Sequence, residues 1–322
     1  MSIITNKIQT SVTAAQAIAM NWGPELTEPR VIVDTPAALV SLLDQLRPLA
    51  AAGKIATIDL AGNGPLEVSY KSYSANAAVL ALVAPGYAMT LSGVPVARAV
   101  AVQADNKVAG YTIADTASAI AGALDMLTNL TRLTAITLTA GATLSVPYSR
   151  VLTSGGPLSR IVSPYNLTVT RVTTANLAQA RTIPHASAVL VVDTAAAVLA
   201  AMSVLNADTM VGGIALSGGT GIAMTYAQYG ASLSAVARLA NGVALTVSGV
   251  PASAAAALQA NARVTGFSIS DTAANVTQVL ETLNNASRLT EIAVADGGTI
   301  KLTFNRFLAT GTAIARLAGT VW

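Results

Sequence analysis

The chain has 322 residues, 53% hydrophobic and only 10% charged, with 18 Lys and Arg against 15 Asp and Glu, one histidine and no cysteine. A net charge of +3 spread over that length lacks the concentrated basic stripe of a nucleic-acid binder, and the missing cysteines exclude a disulfide framework and thiolate metal sites. So sparsely charged a surface is inclined to find partners.

The first twenty residues carry no cationic start followed by an unbroken apolar run, so no conventional secretory signal is read there. The longest apolar region, 186–205, is interrupted by Asp193 and Thr194, and a chain that does not span a membrane is expected. KIQTSVTAAQA opens the first strand-like segment at Lys7, and VIVDT follows at 31–35. MTLSGVP at 89–95 then returns as LTVTRVT at 167–173 and LTVSGVP at 245–251, at a constant offset of 78. The pairs Asp115-Thr116, Asp193-Thr194 and Asp271-Thr272 keep that offset, as do Ile58, Ile136, Ile214 and Ile292 and the aromatic series Tyr70, Tyr148, Tyr226 and Phe304. After an extension of residues 1–6, four repeats follow: 7–88, 89–166, 167–244 and 245–322.

Within each repeat, β-branched segments such as AMTLSG, GYTIADT and TAITLTA are followed by Ala- and Leu-rich runs. In DTAANVTQVLETLNNASRL, Val276, Val279, Leu280 and Leu283 fall at i, i+3, i+4 and i+7, one face of an amphipathic helix. The reading is an α/β fold, one continuous solenoid of strand-helix coils of ~26 residues with a parallel sheet, three coils per repeat. Its rival is two or more compact α/β domains, each built from a pair of repeats. The additional segments LEVSY, LSVPY, IAMTY and IKLTF, each after a Gly-containing turn, are read as short hairpin-like excursions.

Asp34, Asp115, Asp193 and Asp271 follow strands and precede helices, where a side-chain oxygen can accept from orphan helix N–H groups; they are assigned as helix caps. A calcium ladder is the sharper alternative, but equivalent positions three coils apart lie about 14 Å from each other and cannot share an ion. DGG at 296–298 resembles the Asp-Gly of calcium-binding nonapeptides yet occurs once, so no cofactor is assigned and calcium has no ligand motif behind it. His185 has no repeat equivalent and no nearby Cys, Asp or Glu, no catalytic motif occurs, and the expectation is a protein that is not an enzyme. Lys54, Arg132 and Arg288 share one repeat position, and Arg160, Arg238 and Arg316 another. These two cationic ladders are either solvated edges or a contact for a polyanion such as an anionic surface polysaccharide.

Segments such as FSISDTAANVTQVLETLNNASRLTEIAVADGGTI resemble the DTAANV-type repeats of large proteobacterial surface and type I-secreted proteins, including calcium-repeat adhesins. The likeness covers nearly the whole chain and implies a repeat architecture, an extracellular or cell-surface location, and export without a cleaved N-terminal signal. LAGTVW at 317–322 takes the place of LANGVA at 239–244 and no capping segment follows it, while six residues precede the first strand. Two complementary unfinished ends imply head-to-tail homopolymers. Lys7, Ile8, Gln9 and Thr10 are then expected to meet Leu317, Val321 and Trp322 of the next subunit. The resulting expectation is a filament or surface-layer subunit, the alternative an adhesin-type or polysaccharide-binding module.

Overall fold

The computed structural model describes residues 11–23, 28–62 and 64–318. Fourteen strands are assigned among them: β1 (Arg30–Asp34), β2 (Ile55–Leu60), β3 (Leu66–Ser69), β4 (Met89–Val94), β5 (Val108–Asp115), β6 (Leu133–Leu138), β7 (Thr143–Pro147), β8 (Asn166–Val172), β9 (Ala186–Asp193), β10 (Val211–Leu216), β11 (Gly221–Thr225), β12 (Ala244–Val250), β13 (Val264–Asp271) and β14 (Leu289–Val294). They form a two-stranded sheet, β1-β2, and three four-stranded sheets, β3-β4-β5-β6, β7-β8-β9-β10 and β11-β12-β13-β14. In each sheet the strands lie side by side in chain order, and pairs such as β4 with β5 and β12 with β13 are parallel. Parallel neighbours need a crossover, and helices supply it: Pro36–Ala51 leads to β2, Ala117–Thr128 to β6, Ala273–Asn284 to β14. The fold is thus α/β with four parallel sheets in a repeating strand-helix order.

The chain divides into two compact units, one of residues 1–145 and 149–166, the other of 146–148 and 167–322, so the division falls close to the boundary between the second and third repeats. In the first unit, Ile58 and Ile136 are fully buried, with Leu39, Leu43 and Leu46 of one helix and Ile120, Leu124 and Leu127 of another closing over the sheets. In the second unit, Ile214 and Ile292 hold the same place, and Val276, Leu280 and Leu283 form the covering helix face while Val279 is half-buried at its margin. The constant isoleucine position is therefore a core position, filled by a β-branched side chain that suits a sheet buried under helices.

The segments read as hairpin excursions are something else. Leu66–Ser69 and Gly221–Thr225 are the first strands of new sheets and pair in parallel with the strands that follow them, β4 and β12. A hairpin would instead fold back antiparallel on the preceding strand. Before β7 and β11 the turn explains the difference: Gly141 and Gly219 occupy one repeat position with φ of 77° and 70°. That left-handed residue turns the chain away from the preceding sheet, and an alternation such as buried Leu66 and Val68 around exposed Glu67 then starts the next.

A second regularity was not read from the sequence. After the additional strand, two short helices meet at a residue with φ near −120° and ψ near 25°, namely Asn76, Ser154, Ser232 and Thr310, all four buried. Each accepts the amide of the residue four further on, as Leu80 N–H donates to Asn76 O (3.0 Å) and Val236 N–H to Ser232 O (2.9 Å). A small polar side chain fits this kink in an otherwise helical run. Its signal was the 78-residue spacing of Asn, Ser, Ser and Thr, hidden by the change of residue type.

Candidate interaction surface

The four aspartates do cap helices, but not the ones they precede. Thr35, Thr116, Thr194 and Thr272 are the N-caps of those helices, their Oγ1 atoms accepting from Ala38, Ala119, Ala197 and Asn275 N–H. The aspartates stand one residue earlier, still in the strand, and reach sideways. Asp34 Oδ2 accepts from Ala14 N–H (2.9 Å), Asp115 Oδ2 from Val96 N–H (3.0 Å), Asp193 Oδ2 from Thr174 N–H (2.9 Å) and Asp271 Oδ2 from Ala252 N–H (2.8 Å). Each donor opens the helical turn of the preceding module, so the carboxylate satisfies an orphan N–H there and ties two modules together. The other oxygen of each carboxylate accepts the next residue's N–H at 2.8 Å. Burial pushes the Asp193 carboxyl upward, but the bonds from Thr174 and Thr194 outweigh it and the net displacement is downward. Asp271 is lowered by the Asn275 side chain and by Ala252 N–H.

Asp296 of the DGG segment behaves in the same way, accepting from Ala273 N–H (3.1 Å) at the start of the preceding helix and from Gly298 N–H (3.0 Å). Among the described residues, no group of three or more His, Asp or Glu side chains could hold a metal ion.

The cationic ladders are not free stripes. Arg132 Nη1 donates to the carbonyls of Gln103, Asp105 and Val108, and Arg288 Nη1 to those of Gln259 and Asn261. Arg160 reaches Leu130 O, Arg238 reaches Leu205 O and Asp208 O, and Arg316 reaches Ala286 O. Apart from Val108 O at the start of β5, these carbonyls lie at or just beyond the ends of helices in the preceding module, where orphan acceptors and the negative end of the helix dipole favour a cation. Lys54 Nζ lies 5.8 Å from the Trp22 ring centre. The periodicity that suggested a polyanion contact thus reflects clamping between modules. At the third repeat the ladder skips to Met210, and Arg181 instead reaches the buried carboxylate of Asp208, its Nε at 2.7 Å.

His185 sits in a turn with φ 65°, its carbonyl accepting Leu167 N–H at 2.7 Å. A groove of about 290 Å³ over β11–β14, bordered by Thr246, Gly266, Ser268 and Thr290, contains no titratable side chain. Among the described residues no helix is long and apolar enough to cross a membrane.

What stands out is a surface that is closed inside each unit, where the first repeat meets the second and the third meets the fourth, and open at the fourth repeat. Tyrosines of the short helix that follows the additional strand mark it. Tyr73 OH donates to Asp105 Oδ2 (2.8 Å), Tyr148 OH to Gln179 Oε1 (2.8 Å), and Asn261 Nδ2 donates to Tyr229 OH (2.9 Å). Each bond joins a repeat to the first module of the next. Burial, then the adjacent Asp105, pushes the Tyr73 phenol up to about 12. At the fourth copy, Phe304 is 75% and Phe307 51% exposed, whereas Tyr70, Tyr73, Tyr226 and Tyr229 at the same positions of the first and third repeats are half-buried. The strand layer shows the same contrast. Ile300 and Leu302 are half-buried in a segment without a ladder partner among the described residues, while Leu66, Val68, Leu144, Val146, Ile222 and Met224 are buried. Leu317, bridged to Ile292, is half-buried where Leu239 is buried.

The first module presents the other half. Among the described residues Val12 pairs with Ile32 on one side only, and it and Met20 are half-buried where Val94 and Val102 are buried. Lys7, Ile8, Gln9, Thr10, Val321 and Trp322, the remaining expected interface residues, lie outside the described residues. Comparison with protein-family models, curated proteins and solved structures yields no match.

Proposed function

We propose that this protein is a non-enzymatic structural subunit, an α/β solenoid that assembles with copies of itself at the bacterial cell surface. The observation that carries the reading is the uncovered strip of Ile300, Leu302, Phe304 and Phe307, whose counterparts in the first and third repeats are buried in the strand layer and half-buried in the helix layer. An open strand segment beside exposed aromatic rings is a surface that soluble proteins ordinarily cover or blunt. Here the chain supplies both the strip and, in Val12 and Met20, a partly uncovered first module. A contact between two different patches of one molecule repeats without closing and yields filaments or lattices. The cell-surface location and export without a cleaved N-terminal signal follow from the resemblance of the DTAANV segments to repeats of secreted surface proteins.

Negative-stain electron microscopy and light scattering of the full chain over a range of concentrations test the reading. Ordered filaments or sheets that grow with concentration are expected. A folded protein that stays dispersed as monomers at every concentration would overturn it.

A further inference from the structure

Resting on that assembly reading, we infer that the occupant of the open strip is the first module of a second copy, and that Phe304 and Phe307 seat on its Ala14–Ala19 helix and on Gly23. The argument lies in how the chain matches polar groups across its own repeat junctions. Tyr73 faces Asp105, and Tyr229 faces Asn261 at the same pair of positions two junctions further on. Tyr148 faces Gln179. Aligning the first module on the later ones through Val12 and Val94 places Gly23 at the position of Asp105 and Asn261, and Ala19 at that of Gln179. At one pair of positions both ends therefore lose their polar group together: phenylalanine stands at 307 where Tyr73 and Tyr229 stand, and Gly23 stands where Asp105 and Asn261 meet their hydroxyls; Ala19 adds nothing to this, since Ala101 and Ala257 hold its position in junctions that keep Tyr70 and Tyr226.

A buried hydroxyl without a partner is costly, as is a buried carboxylate or amide without one, and a junction lacking both members avoids the penalty. A partner carrying an Asp or Asn opposite Phe307 would instead have that group stripped of water and left unpaired. The two rings on the helix layer are the anchors.

The test measures association of the full chain by sedimentation velocity, with circular dichroism as the check on folding. Phe304→Asp with Phe307→Asp should lower the association constant by about a hundredfold. Phe307→Tyr alone should weaken association by about tenfold, because the new hydroxyl is buried opposite Gly23. Adding Gly23→Asp should restore it by recreating the pair seen between Tyr73 and Asp105. An added Cβ at Gly23 meets no atom within 4 Å, so that change is compatible with the fold. Rescue by the double variant supports the contact. Polymers indifferent to the Asp substitutions, or no rescue by Gly23→Asp, would overturn the inference while leaving assembly through another surface standing. A wild-type chain that is folded and monomeric throughout would overturn the assembly reading, and this contact with it.

Discussion

Asp193 and Thr174 offer a direct test of the clamp between modules, because here the donor residue also contributes a side chain that can be changed. Asp193 receives three hydrogen bonds: from Thr174 N–H (2.9 Å), Thr174 Oγ1 (2.8 Å) and Thr194 N–H (2.8 Å). Bonds to a charged acceptor are worth about 1.5 kcal/mol or more each, but water can replace part of that at a half-buried carboxylate. Asp193→Ala is therefore expected to cost about 2 kcal/mol, and Thr174→Val, which removes only the hydroxyl, about 1 kcal/mol. The two should couple by about 1 kcal/mol in the double variant, since either change alone removes the same side-chain bond. Thr194→Val, which removes the cap of the following helix, should also cost about 1 kcal/mol and couple to Thr174 far less. Urea unfolding at pH 7 gives all of these numbers. The folded-state pKa of Asp193 is depressed, so its contribution is present above the unfolded value of about 3.9 and is lost as pH falls through the folded value. The penalty of Asp193→Ala should shrink accordingly in acid. Additive effects of Asp193 and Thr174 at pH 7 would refute the clamp and return the aspartate to the role of a local cap.

Arg171 holds φ 55° at the position where Gly93 and Gly249 have φ 70° and 67°, so Arg171→Gly should stabilise by up to about 1 kcal/mol, and Gly249→Ala should destabilise by a similar amount, read as opposite shifts in urea midpoint. Arg181→Met should cost about 3 kcal/mol because it leaves the buried Asp208 carboxylate without its counter-ion; a change below 1 kcal/mol in urea unfolding would show that water reaches the site. The Tyr73 phenol, raised to about 12, contributes stability that is whole below the unfolded value of about 10 and is lost as pH rises from there through about 12. Tyr73→Phe should flatten that alkaline loss, as followed by thermal melts between pH 9 and pH 12.

What the sequence disclosed and what it withheld divide along the side-chain and backbone boundary. Ile58, Ile136, Ile214 and Ile292 were legible because a core position demands the same kind of side chain at every turn of the repeat. The helix face of Val276, Leu280 and Leu283 was legible for the same reason. Asp and Thr in each Asp-Thr pair are both good caps, and only the backbone angles show that Thr272, with φ −68° and ψ 154°, is the residue at the boundary. The partners of Arg132, Arg238 and Arg316 are backbone carbonyls, which no letter of the sequence identifies, so their order was visible and its purpose was not. The parallel course of Leu66–Ser69 was likewise hidden, because strand direction depends on where the turn before it sends the chain. The aromatic centre of the open strip was hidden as well, because Phe304 and Phe307 keep the aromatic character of Tyr70, Tyr73, Tyr226 and Tyr229 and differ from them in exposure alone.

The clamps have a further consequence for how such a chain can change in length. Asp193 reaches back 19 residues to Thr174, Arg238 reaches back 30 to Asp208, and Tyr229 reaches forward 32 to Asn261, all less than one repeat. Loss or duplication of a whole 78-residue block would keep those local spacings, whereas a deletion of any other size would separate donors from acceptors on both sides of the scar. Recombination between repeats can therefore lengthen or shorten the gene in whole quanta. The side chains that meet at each junction then act as a key, since a block moved beside the wrong neighbour would set a tyrosine hydroxyl against a residue that cannot answer it.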